Sequence, residues 1–190
     1  MCEPIVNERQ LPYVFLPPEI LSLIQGYIDL APGEISGLGE VEVSRNDFVV
    51  TKLLDLLDQT VSNGSTNLDQ DALFSFLEKA VEDEFDLSKV KLWWHSHKKG
   101  NVFWSLQDDN TISLLQNSGW IISIVGNQYG EYLARLDIFR PVHITLNLKI
   151  SIIPQKLPRR QLAQLRAKIK QKVVLKPTVI PAVYTNQEGP

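Results

Sequence analysis

The chain has 190 residues, 44% hydrophobic and 22% charged, with a formal net charge of −3 and a single cysteine, Cys2. That length and composition fit one globular domain with a real core, and they exclude both an intrachain disulfide and a metal site built from several thiolates. Charge is unevenly placed: residues 1–137 hold 9 Lys+Arg against 21 Asp+Glu, while residues 138–190 hold 10 against Glu188 alone. The acidic body and the basic end can attract each other or face different partners.

In chain order, Met1–Gln10 carries acids and no apolar run, so it does not read as a signal peptide. No stretch reaches the length of a membrane span, and the expected location is the cytoplasm. Residues 1–16 read as an N-terminal extension. Pro17-Pro18-Glu19 opens a helix whose apolar face is Ile20, Leu23, Ile24, Tyr27 and Ile28, and Pro32-Gly33 ends it. Glu34 to Val43 reads as a strand, with a turn at residues 44–47 and a second strand at Phe48-Val49-Val50. Leu53, Leu54, Leu56 and Leu57 leave strand and helix both open. After a polar loop, Asn67 or Asp69 caps a helix to residue 85, with Leu73, Phe74, Leu77, Ala80, Val81 and Phe85 on one face.

Val90 to Trp94 is a short buried strand that runs into His95-Ser96-His97. Ser105 begins a helix through Leu115, and residues 121–125, 132–138 and 143–153 are three more strands. From Pro158 to Val173 a basic helix turns Leu162, Leu165, Ile169 and Val173 inward, expected to pack on the sheet. It carries no recognised nucleic-acid motif; an acidic partner is the alternative use of its outer face. Residues 176–190, with Pro177, Pro181 and Pro190, read as a flexible tail. The sum is an α/β domain over residues 17–175, one mixed sheet packed between helices.

His95 and His97 are two apart, so on a strand both imidazoles point to one side and can reach one ion. They supply half of a tetrahedral zinc shell. Asp108, just inside the next helix, is a candidate third ligand; a fourth position left to water would make the site catalytic. A bound hydroxide needs a proton shuttle, and Glu34 at the start of the first strand can face the site across the sheet. Ser105 lies three residues before Asp108, where its hydroxyl can donate to an oxyanion; the same spacing also reads as a helix capping box. Trp94, Phe103 and Trp104 are core residues or walls of a substrate cleft.

His95-Ser96-His97, seven residues, Ser105, two residues and Asp108 together resemble the H-x-H-x₇-S-x₂-D signature of the JAMM (MPN+) zinc metalloproteases. Glu34-Ile35-Ser36-Gly37 is similar to that family's upstream glutamate, and the likeness covers residues 17–153, closer to the prokaryotic and phage branch. The resemblance implies a cytidine-deaminase-like MPN fold and a Zn²⁺ enzyme. Its substrate would be a peptide or isopeptide bond after a ubiquitin-like modifier. It implies zinc on His95, His97 and Asp108, with Asp109 the rival ligand. Glu34 would be general base and acid, and Ser105 would polarise the carbonyl. Lys98 stands where the eukaryotic deubiquitinases often carry proline, which loosens the substrate assignment. The alternatives are a peptidase acting on another substrate, such as cell-wall peptide in a phage particle, and a metal-free MPN scaffold that binds partner proteins.

Overall fold

A computed structural model of the protein describes residues 12–62, 66–68, 70–153 and 156–176. Cys2 with the rest of residues 1–11, the middle of the polar loop, the cap candidate Asp69 and the tail from Pro177 lie outside them. The elements are β1 (Tyr13–Leu16), α1 (Pro18–Leu30), β2 (Ser36–Ser44), β3 (Asp47–Leu53), β4 (Gln59–Val61), β5 (Thr66–Leu68), α2 (Gln70–Glu82), β6 (Val90–Ser96), α3 (Leu106–Leu114), β7 (Trp120–Gly126), β8 (Tyr132–Ile138), β9 (Ile144–Ile152), α4 (Arg159–Lys172) and β10 (Val173–Leu175).

The sheet corrects the expected fold class. It is not a single open layer between helices, as an MPN or cytidine-deaminase-like fold requires. Seven strands close into a mixed barrel in the order β1-β3-β2-β6-β7-β8-β9. The cause is β1, which lies parallel to β3 through Val14↔Phe48 and Phe15↔Val49. It is also parallel to β9, from Tyr13↔Lys149 to Leu16↔Ile152. A strand bonded on both sides leaves no open edge. These four residues belong to what the sequence alone assigns to an N-terminal extension. Leu53 ends β3, and the leucines after it form neither strand nor helix. A second small sheet joins β10, β4 and β5.

Two apolar cores take alternate residues of β6, as a period of two requires. Leu92 and Trp94 join the main core with Ile24, Tyr27 and Ile28 of α1 and with Leu165 and Ile169 of α4. Trp93 joins Leu38, Ile121 and Ile112 of α3 in a second core, closed by Leu73 and Phe76 of α2. The basic helix packs against α1 in this core. Gly26 permits this, since a Cβ there would meet Leu165 Cδ1 at 2.6 Å. Lys168 and Lys172 reach Asp55 and Asp58, so part of the basic end does pair with the acidic body. On α2, Ala80 is buried, but Phe74 and Val81 stay exposed. Among the described residues, no helix is long and apolar enough to cross a membrane.

Candidate metal centre

His95 is fixed by β6, which runs between β2 and β7 with His95 opposite Ser36 and Val125. His97 lies one residue past the strand, and its N–H donates to the Gly126 carbonyl at 2.9 Å. The two rings share a side, their centroids 5.2 Å apart, and Trp93 stacks on His95 at 4.4 Å. Asp108 arrives from the first turn of α3. Ser105 caps that helix and forms a capping box with Asp108. The Ser105 N–H and hydroxyl both donate to Asp108 Oδ2 at 2.7 Å, and the Asp108 N–H returns to Ser105 Oγ at 3.2 Å. His95 Nε2 lies 3.0 Å from Asp108 Oδ1, and His97 Nε2 lies 3.6 Å from Oδ2. One ligand atom from each of the three buried residues lies within 4.8 Å of the others.

This arrangement could hold a metal ion, and the ring nitrogens fit one. His97 Nδ1 is 3.1 Å from the Asn101 carbonyl. A carbonyl only accepts, so Nδ1 carries the proton and Nε2 keeps its lone pair. His95 is fully buried, and neither of its ring nitrogens has an aligned hydrogen bond among the described residues. The 3.0 Å approach of Nε2 to Asp108 is close but lacks hydrogen-bond alignment. Leaving such a group unsatisfied costs about 1–3 kcal/mol; a metal accepting that lone pair would satisfy it.

The charges agree. Burial pushes the Asp108 carboxyl up, but the close approach of the His95 and His97 rings, together with the hydrogen bond from the Ser105 N–H, outweighs it and holds it far below the usual range. Burial pushes His95 down against the opposing pull of Asp108, which favours the neutral ring a metal needs. His97 is pushed up, chiefly by Asp108. Glu34 is raised to about 7, first by burial, with His97 lowering it and Asp108 raising it further. Glu34 thus feels both groups while standing outside the set of three ligand atoms.

The backbone around Glu34 is pinned from three directions. Its N–H donates to the Ser62 carbonyl at 2.8 Å. Gly33 makes room, because a Cβ there would lie 2.5 Å from that same carbonyl oxygen. The Ile35 N–H donates to Ser96 Oγ at 3.0 Å, and the Gln59 side-chain amide brackets both the N–H and the carbonyl of Ser36 at 3.0 Å.

The structure therefore brings together Glu34, His95, His97, Ser105 and Asp108. Phe103 stands edge-on to His97 at 4.5 Å and is 53% exposed, and Trp104 lies 5.8 Å from His95. Trp94 is not brought to the site: it points to the other side of β6, 1% exposed, stacked on Tyr27. The rival ligand Asp109 is half exposed and pairs with Arg135 instead. Sequence reasoning missed Ser96, Gln59, Asn101 and Arg135. Ser96 had a signal, since the middle residue of the H-x-H triplet must face away from both histidines, towards the neighbouring strand segment.

No protein-family model matches the chain, and no curated protein matches it. Among solved structures it is similar to the solution structure of protein DSY2949 from Desulfitobacterium hafniense, a Northeast Structural Genomics Consortium target. The two are 12% identical with a TM-score of 0.49, over 78% of this chain and 97% of that one.

Proposed function

We propose that the protein is a zinc-dependent hydrolase of peptide or isopeptide bonds, with His95, His97 and Asp108 holding the metal. The observation that carries the reading is the convergence of His95 Nε2, His97 Nε2 and the Asp108 carboxylate, three buried groups, with Glu34 beside them but outside their set. The proposal concerns this chemistry and is independent of the closed barrel. Zinc bound there would supply a water of lowered pKa and polarise a carbonyl.

The chain's own residues do the rest. Glu34, with a carboxyl near neutral range, accepts a proton as the water oxygen bonds to the carbonyl carbon. It returns that proton to the amine nitrogen as the C–N bond breaks. Ser105 fixes Asp108 in its present hydrogen bonding; to donate to the oxyanion its hydroxyl turns away from Oδ2. The substrate class we propose is the C-terminal tail of a ubiquitin-like modifier, joined to a lysine or to a precursor peptide. The exposed Phe103, edge-on to His97, offers an apolar wall beside the ligands for such an extended tail.

The test combines metal analysis with a cleavage screen of ubiquitin-like fusions and isopeptide conjugates. Wild type is expected to carry about one zinc per chain after loading. Chelator is expected to stop cleavage, and His97→Ala to lose the metal. Absence of zinc in loaded wild type sinks the reading and leaves a binding scaffold. Zinc with cleavage of cell-wall peptides alone moves the substrate and keeps the chemistry.

A further inference from the structure

α3 presents Asp108, yet packing alone holds it poorly. Of its nine residues only Asp108 and Ile112 are buried. Leu106 and Leu114, its two leucines, are 78% and 75% exposed. The capping box fixes Asp108 relative to Ser105, but it does not tie the helix to the barrel.

Arg135 of β8 makes that tie. It is 7% exposed, and its guanidinium bridges two carboxylates. Nε lies 2.8 Å from Asp137 Oδ2 on its own strand, and Nη2 lies 2.7 Å from Asp109 Oδ1 on α3. Asp137 is fully buried and is anchored in turn by the Thr145 hydroxyl at 2.7 Å and His143 Nε2 at 3.0 Å. The flat guanidinium also lies over the Trp104 ring at 4.6 Å, and Trp104 tilts against His95. One side chain thus touches the residue next to one ligand and the ring beside another.

We infer that Arg135 is a positioning residue of the metal centre, holding the first turn of α3 and Trp104 so that Asp108 meets His95 and His97. The inference rests on the proposed metal reading. A buried ion pair is by itself a poor source of stability, so the worth of this one is geometric. The planar fork is what the geometry uses: its donors reach carboxylates on two elements while its flat face lies over Trp104, a combination that a tetrahedral ammonium does not reproduce.

The sign of one measurement separates positioning from simple charge. Arg135 is a cation close enough to act on His95. As a charge only, it repels a divalent ion, and its removal tightens zinc. As a positioning group, its removal weakens zinc. The experiment is a competition titration of zinc against a chromophoric chelator, with the metal-free melting curve of each variant alongside. Arg135→Gln is expected to raise the zinc Kd about 10–100-fold, the usual effect of losing a group that orients a ligand. Arg135→Lys keeps the charge and most of the bulk, and is expected to weaken zinc as well. Should Arg135→Gln fail to fold, the lysine variant decides alone. A wild-type Kd in Arg135→Lys, or a Kd in Arg135→Gln that is unchanged or lower, overturns the inference, even if melting temperatures fall. A wild type that takes up no zinc fails the metal reading and removes the inference with it, whereas tight wild-type zinc with unaffected variants fails the inference alone.

Discussion

The two sides of β6 carry opposite chemistry on adjacent residues. On one side Leu92 and Trp94 are sealed in apolar contacts with α1. On the other, His95 and His97 face Asp108 and Glu34, all buried, and neither ring nitrogen of His95 has an aligned hydrogen bond among the described residues. The first side repays burial directly through the hydrophobic effect. The second stores a cost that makes sense only if something fills it. Side-chain alternation alone divides stability from chemistry here, so substitutions one residue apart should fail in different ways.

The largest expected effect lies on the polar side. Glu34→Gln should keep zinc and lower kcat by about 10²–10⁴-fold, the usual share of general acid–base catalysis. Near-normal turnover in a zinc-loaded Glu34→Gln enzyme would end the mechanism. Next comes the apolar side. Trp94→Ala should cost about 3–5 kcal/mol of stability, read from urea unfolding. If it folds, its zinc affinity should stay near wild type. A variant that unfolds normally but loses zinc would show that the two sides are not separate.

The third effect is a pH dependence of the metal-free protein. The Glu34 carboxyl rises from its ordinary 4.5 to about 7 on folding. Between those values the folded state holds a proton that the unfolded chain releases, so this group's contribution is intact below 4.5 and is lost as pH rises through 7. Other groups also titrate there, and comparison with Glu34→Gln isolates this one. In chelator, the two proteins should melt together at pH 5. At pH 8 the glutamine variant should be more stable, by up to about 3 kcal/mol. Equal curves at both pH values would mean that Glu34 is not buried against the site.

The smallest effect concerns Ser105, which both caps α3 and touches Asp108. Ser105→Ala should cost about 1 kcal/mol of metal-free stability. Ser105→Asp, an equally good cap, should restore it. If the aspartate variant also restores turnover, the serine acts through the helix and the oxyanion role is wrong.

The two pairs within the candidate site were legible in sequence because their information is local. His95 and His97 needed only the period of a strand, and Ser105 with Asp108 only the first turn of a helix. Trp94 was misplaced although the same period, applied one residue earlier, turns it away from both histidines. Arg135 and Asp137 were hidden for a different reason. Polar residues alternating with Ala134 and Leu136 read as a solvated strand face, but Arg135 meets Trp104 and Asp109 from far along the chain, and Asp137 meets Arg135, His143 and Thr145. The barrel was illegible because Tyr13-Val14-Phe15-Leu16 finds its partners at residues 48–49 and 149–152, and no local pattern states such a pairing.

That distant pairing also orders events in time. Tyr13 is among the first barrel residues to leave a ribosome, yet its partner Lys149 is made 136 residues later. Contacts so far apart in sequence are slow to form, because loop closure must precede them. β2, β3, β6 and β7 can pair before the chain reaches β9, and they already carry His95 with the Glu34 segment beside it. β1 can join β3 once residue 49 is made, but a nascent chain would keep an open seam between β1 and β9 until synthesis has passed residue 152.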